Sequence, residues 1–175
     1  MTKKITPIYK PFKTFTTMRT KTAIWFECKI RYEKVMEDGL QKKVTEQYVV
    51  DALSFSEAEK RIMEEMSSYI SGEFEVTDVK KAVYKEVFFD DVENGSELWF
   101  KAKLQFITID EKTEKEKRST VYYLVQAASF DGAVKNINTV MDGTMIDYNK
   151  SNISESKIID VFEFVPDKEE TDGKD

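Results

Sequence analysis

Residues 25–34 read WFECKIRYEK, and residues 99–108 read WFKAKLQFIT. Both stretches begin with Trp-Phe, and both alternate apolar with polar side chains and are rich in residues that favour β-strands. Lys29 matches Lys103, and Ile30 matches Leu104, at the same offset of 74 residues. The sequence therefore predicts that one strand is present twice.

The similarity continues beyond this strand, at an offset of 74 or 75 residues. Asp38-Gly39 is a favoured tight-turn pair and predicts a hairpin in the first copy. Ser54 followed by Glu57 is typical of a helix start, and apolar residues then recur at every fourth position. Gly72 predicts the end of that helix. Each copy therefore predicts a strand, a hairpin, a second strand, a helix and one or two further strands.

The repeated pattern predicts an α+β fold. We expect tandem duplicated β-β-α-β(-β) units that form one or two antiparallel sheets, covered by two helices. One unit alone is too small for a comfortable core, so the units are expected to pack about a pseudo-two-fold axis. The predicted organisation is a basic extended arm at 1–21, a first repeat at 22–90, an acidic linker at 91–98, a second repeat at 99–164 and a disordered acidic tail at 165–175.

Charge and cysteine content limit the class of protein. The net charge is -6, although the arm contains only basic charged residues, so the body is strongly acidic and should repel a nucleic-acid duplex. No stretch of about 18 apolar residues predicts a membrane span, and the N-terminus lacks the apolar core of a signal peptide. The single cysteine excludes an internal disulfide. We expect a cytoplasmic protein.

The repeated tryptophan is the most distinctive candidate for a binding site. Alternation places Trp25 and Trp99 on the polar face of their strands, each followed by cationic side chains. A flat aromatic ring beside fixed cations can stack a base and hold a phosphate, or it can anchor a protein partner. The alternative is that each indole covers the edge of the core. The predicted ligand-binding residues are Trp25, Lys29, Arg31, Trp99, Lys101, Lys103 and Arg118.

Signatures of catalysis are missing from the sequence. It has no histidine, no phosphate-binding glycine loop and no zinc-ligand spacing. Cys28 falls on the predicted inward face and is expected to be a core residue rather than a nucleophile. The acidic loop that starts at Asp90 lacks the ligand spacing of a calcium loop. We therefore expect a non-catalytic protein without a metal or cofactor.

Three long stretches resemble the domain of unknown function family 4494: WFECKIRYEKVMEDGLQKKVTEQYVVDALSFSEAEKRIMEEM, YISGEFEVT and WFKAKLQFITIDEKTEKEK. The resemblance covers residues 18–164. Such proteins occur in Bacteroides-type gut bacteria and in the phages that infect them, which implies a phage-associated protein. The family has no established activity, so the resemblance assigns no site residue.

These observations leave three roles open. The first is sequestration of a small nucleotide, such as a host defence signal, in a pocket between repeats or subunits. The second is a structural or protein-interaction adaptor, with an apolar patch and a polar rim. The third is binding of single-stranded nucleic acid or of a replication protein, which the acidic body disfavours. For each role we expect a homo-oligomer, because sheets with exposed aromatic edges tend to find partners.

Overall fold

The computed structural model describes residues 18–90 and 95–165, and the following elements refer to those residues. They form an α+β fold that consists mostly of strands, and none of their helices is long and apolar enough to span a membrane. The elements are β1 (Arg19–Thr22), β2 (Trp25–Val35), β3 (Gln41–Asp51), α1 (Phe55–Tyr69), β4 (Phe74–Lys81), β5 (Tyr84–Phe89), β6 (Leu98–Ile109), β7 (Glu116–Ala127), α2 (Phe130–Asp142), β8 (Asp147–Glu155) and β9 (Ile158–Phe162).

The strands form two sheets, and both sheets are mixed. A five-stranded sheet has the order β1-β5-β7-β6-β8, and a four-stranded sheet has the order β4-β2-β3-β9. The pairs β5–β7 and β3–β9 are parallel, whereas the other pairs are antiparallel. The prediction of antiparallel sheets was therefore wrong in part. The physical reason is that β5 and β9 each leave their own half of the chain and join the sheet of the other half.

The two sheets have the same strand order and the same register shifts. Order β4-β2-β3-β9 in one corresponds to β8-β6-β7-β5 in the other. The ladder of β2 with β4 shifts register between Lys29 and Ile30, and the ladder of β6 with β8 shifts between Lys103 and Leu104. The parallel ladders shift at matching positions too. Residues at matching ladder positions, 74 or 75 apart in the sequence, are called counterparts below.

Each helix covers the outer face of one sheet. The stripe Ala58, Ile62 and Met66 of α1 is buried against β2 and β3, as the apolar periodicity predicts. The corresponding stripe of α2 is buried against the five-stranded sheet. Both stripes are 3% exposed or less, which shows that the helices and sheets form continuous cores. The layers therefore run helix, sheet, sheet, helix.

The opposite faces of the two sheets meet in a shared cluster, called the inter-sheet core below. It unites residues from both halves of the chain, so neither sheet buries its inner face without the other. Its buried members are Trp25, Val49, Tyr84, Val87, Trp99, Leu124, Ile158 and Val161.

Local signals set the turn and the helix starts. Gly39 adopts a positive φ of 80° in the predicted hairpin, a conformation that suits glycine. Ser54 Oγ accepts a hydrogen bond from the backbone N–H of Glu57 at 3.1 Å, as its position predicts. The Glu57 carboxylate accepts in turn from the N–H of Leu53 at 3.0 Å. Helix α1 ends at Tyr69 with Ile70 as its C-cap, just before Gly72, as predicted.

Candidate protein-docking edge

The two tryptophans lie in the inter-sheet core. Trp25 is 1% exposed and Trp99 is 2% exposed. Phe89 lies between them, with ring centroids 6.4 Å from Trp25 and 5.6 Å from Trp99. Alternation predicted the correct strand face for both tryptophans. The expectation that this face is exposed to solvent there was wrong, because the other sheet covers it. Neither indole offers an open face for a stacked base.

The predicted cations do not converge on the indoles. The Lys101 ammonium lies 4.9 Å from the centre of the Tyr122 ring, and Lys103 lies half-buried on the same strand. Arg31 pairs with the carboxylate of Glu75 at 2.6 Å on the surface.

The other two predicted cations are also apart from the indoles. Arg118 pairs with Glu116 at 2.9 Å, and Lys29 lies half-buried on β2. The structure brings the two tryptophans together and distributes the cations along β2, β6 and β7. The burial therefore favours the alternative in which the tryptophans complete the core.

The single cysteine lies in the core. Cys28 is fully buried in the cluster below α1, and its burial raises the thiol pKa to about 12. This confirms its predicted core position. Within residues 18–90 and 95–165, no three potential metal ligands lie close enough to hold an ion.

A charged node holds the chain where it leaves β9. The Asp51 carboxylate accepts a hydrogen bond from the backbone N–H of Phe164 at 2.6 Å and pairs with Lys21 at 2.6 Å. Arg61 donates to both the carboxylate and the carbonyl oxygen of Asp51. Burial opposes ionisation of Asp51, but these donors outweigh it and lower its pKa. No sequence pattern indicated this node, because its members lie on β1, β3, α1 and the segment that follows β9.

Neutral amides occupy the counterpart position where the chain leaves β5. Gln126 Oε1 accepts from the backbone N–H of Asp90 at 3.0 Å, as Asp51 does from that of Phe164. Asn136, the counterpart of Arg61, donates to the carbonyl oxygen of Gln126 at 2.9 Å. Each node thus fixes an exchanged strand to the sheet that receives it.

The outer edges of the exchanged strands differ. Strand β1 pairs with β5 from Arg19 opposite Phe89 to Thr22 opposite Glu86, so the last residues of the predicted arm belong to a strand. The rest of the arm, 1–17, lies outside the described residues, as do 91–94 of the predicted linker and 166–175 of the predicted tail. Among the residues that are described, β9 pairs only with β3 and its other edge is open.

Aromatic side chains surround the open edge of β9. Phe88 on β5 is fully buried, and Met18 packs against the cluster that contains it. The counterpart of Phe88 is Phe162, which is half-buried and stacks on Tyr48, with ring centroids 5.7 Å apart.

Two more exposed aromatic residues continue this surface. The ring of Tyr69 lies 6.0 Å from that of Phe162, and Tyr69 is 69% exposed. Phe164 is 55% exposed, and the Arg61 guanidinium lies 5.5 Å from the centre of its ring. Tyr69, Phe162 and Phe164 are called the aromatic patch below.

A half-buried carboxylate lies on the same strand. Burial raises the pKa of Asp160. Among the described residues, Asp160 forms no ion pair. Its Oδ1 accepts from the backbone N–H of Val161 at 2.8 Å. The counterpart Glu86 instead accepts from the hydroxyl of Thr22 on β1 at 2.7 Å. Strand β1 thus supplies Glu86 with a side-chain donor, and among the described residues Asp160 has no such donor.

An open groove runs beside β9, with a volume of about 670 Å³. Lys157 is the cation among the residues that line it, whereas Glu97, Glu155 and Asp160 supply carboxylates. The groove therefore favours a basic or neutral occupant over a phosphate.

These features describe an α+β domain of two mixed sheets whose candidate site is a strand edge. Residues 24–164 match the family model described as Domain of unknown function (DUF4494), and the chain belongs to this family. No curated protein and no solved structure matches the chain.

Proposed function

We propose that the chain is a non-catalytic protein-interaction adaptor that uses the β9 edge and the aromatic patch. The observation that carries this proposal is the contrast between two counterpart edges. Strand β1 covers the edge of β5, whereas among the described residues the edge of β9 is open and lies near the exposed rings of Tyr69 and Phe164. Exposed apolar groups beside an open strand edge are typical of protein-binding surfaces.

We also propose that the fold is a tandem duplication whose two units exchange their last strands. The identical strand order, the matching register shifts and the counterpart nodes of Asp51 and Gln126 support this origin. In this proposal the linker that joins the units takes the sequence place of a second β1. The edge of β9 is then left free for a partner.

Sequestration of a small nucleotide is the second candidate function. The groove beside β9 has a volume in the range of ligand pockets. Its three carboxylates, however, would repel phosphate groups, and the buried indoles offer no stacking face. The geometry therefore supports the adaptor better, and single-stranded nucleic acid is disfavoured for the same reasons.

Site-specific photocrosslinking in the native cells tests the adaptor function. A photoreactive residue replaces Phe164 in the full chain, and the matched control replaces Phe130, which is 52% exposed and lies at the start of α2, the helix that covers the other sheet. We expect an adduct of one discrete mass from position 164 and none from position 130. Equal adducts from both positions, or none from either, would contradict a specific docking surface.

A thermal-shift panel separates the two candidate functions. Cyclic dinucleotides, ADP-ribose derivatives and short oligonucleotides are added to the purified chain. A ligand at one hundred times its dissociation constant adds about 2.7 kcal/mol of stability. The adaptor function predicts no such shift for any of them. A nucleotide that stabilises the chain by this amount would overturn the proposal in favour of sequestration.

A further inference from the structure

Strand β9 differs from the other open edges among the described residues. Strands β1, β4 and β8 are rich in charged and polar side chains, a feature that discourages edge pairing. The sequence of β9, IIDVF, has four apolar residues and one carboxylate. It is therefore the edge with the least protection against an added strand.

The counterpart edge shows what an added strand looks like. Strand β1, with the sequence RTKT, lies antiparallel along β5. Its Thr22 hydroxyl reaches Glu86 at 2.7 Å, and its Lys21 ammonium reaches Asp51 at 2.6 Å. The side chains that secure β1 are thus a hydroxyl and cations that meet carboxylates.

The edge of β9 holds one acceptor for the same chemistry. Asp160 is the counterpart of Glu86, the carboxylate that the Thr22 hydroxyl reaches on β5. In the absence of a strand, the Asp160 carboxylate holds the N–H of Val161. An incoming carbonyl group can take over this N–H while the carboxylate turns to a donor of the partner. Pairing of β9 with a second β9 is disfavoured, because a two-fold axis at its centre would place Asp160 opposite its own copy.

We infer that β9 is a receptor for an extended segment of a partner protein, which adds as an antiparallel strand and places a basic or hydroxyl-bearing residue opposite Asp160. Main-chain hydrogen bonds would supply affinity, and the carboxylate and the aromatic patch would supply selectivity. This inference rests on the proposed adaptor function and specifies the class of partner.

The probe is a labelled synthetic peptide with the sequence MRTKTA, which is that of residues 18–23. It is titrated into the full chain and followed by fluorescence anisotropy and by amide NMR signals. We expect saturation below about 1 mM, with shifts centred on Val161 and its strand neighbours. A control peptide with Glu in place of Arg and Lys should bind at least about tenfold more weakly, because it meets carboxylates.

Charge reversal on the protein locates the site. Asp160→Lys should weaken the peptide at least about tenfold, whereas Glu155→Lys, in the same groove but on β8, should change the affinity less than about twofold. Equal losses for both variants would show general charge attraction and would overturn the inference. Thermal unfolding of each variant shows whether the fold is intact. Because Asp160 is half-buried, Asp160→Asn is the second variant, and it should weaken the peptide several-fold.

Other occupants give different results. Shifts confined to β5 would mean that the peptide only displaces β1. The β9 amides could instead be protected from hydrogen exchange in the free chain. Protection that does not depend on protein concentration would mean that the chain's own terminal residues occupy the edge. Protection that increases with concentration would mean that a second copy occupies it. Each of these results, or the absence of any shift at β9, would overturn the inference that β9 receives a strand from a partner protein. If the crosslinked adduct at position 164 persists in Asp160→Lys, the adaptor function survives without strand addition.

Discussion

At the end of β3, the carboxylate of Asp51 holds the chain that leaves β9, and at the end of β7 the amide of Gln126 holds the chain that leaves β5. Both groups accept a hydrogen bond from one backbone N–H, so the local task is the same. The carboxylate also draws in Arg61 and Lys21, and Lys21 belongs to β1.

The charged node therefore helps to hold the N-terminal strand β1 in place through Lys21. Arg19 adds a second tie, because it pairs with Glu163 beyond the end of β9 at 2.6 Å. Side chains of β1 thus help to keep the edge of β5 covered. The differences between the halves, rather than their likeness, mark the candidate site.

Removal of an inter-sheet indole should have the largest effect and shows whether the halves form one unit. We expect Trp99→Ala to lower the free energy of unfolding by about 3–5 kcal/mol, because it opens a cavity between the sheets. Urea unfolding monitored by circular dichroism and by residual tryptophan fluorescence should still give one coincident transition. Leu98→Ala, at the partly exposed neighbour, is the control and should cost far less. Two separate transitions would mean that the halves are stable independently.

Truncation of the Asp51 carboxylate should cost more than truncation of the Gln126 amide. Asp51→Ala leaves Arg61 and Lys21 without their carboxylate, and we expect a loss of about 3 kcal/mol, measured by urea unfolding. Gln126→Ala removes neutral hydrogen bonds and should cost about 1–2 kcal/mol. Equal losses would show that the charges add nothing beyond the shared backbone hydrogen bond. The double variant Asp51→Gln with Arg61→Asn should recover part of the stability of Asp51→Ala.

The helix caps provide a smaller comparison between the halves. Ser54 and Ser129 each accept a hydrogen bond at 3.1 Å from the backbone N–H three residues later. Ser54→Ala and Ser129→Ala should each cost about 1 kcal/mol in thermal or urea unfolding. Only α1 has a glutamate at the third position, so Glu57→Ala should cost a further few tenths of a kcal/mol. A negligible loss for Ser129→Ala would mean that tertiary packing alone holds the start of α2.

The smallest effect concerns pH and has opposite signs at two carboxylates. The lowered pKa of Asp51 means that its stabilisation is present above about pH 4, near the unfolded pKa, and is lost as pH falls through the folded value. Burial raises the pKa of Asp160, so its ionisation opposes folding as pH rises above about 4. Asp160→Asn should therefore stabilise the chain slightly at pH 7, by less than about 1 kcal/mol, and have no effect near pH 3. A loss of stability at pH 7 would contradict this assignment of Asp160.

Several local features followed from the sequence because short-range physics controls them. The Asp38-Gly39 turn, the Ser54 cap, the apolar stripe of α1 and the core position of Cys28 each depend on residues within one or two turns of chain. The candidate site depends on longer-range relations. Whether β9 has a neighbour, and whether an indole is covered, is decided by residues dozens of positions away. A short strand such as RTKT also gives little periodic signal.

The sequence by itself determined which elements form and which faces of them are apolar, since propensity, capping and alternation act locally. Only the tertiary structure decided that the last strand of each half joins the other sheet and that both indoles are covered. It also decided which edge stays open. Alternation with a period of two specifies the faces of a strand but neither its neighbours nor their direction, and those depend on how the whole chain can bury its apolar surface.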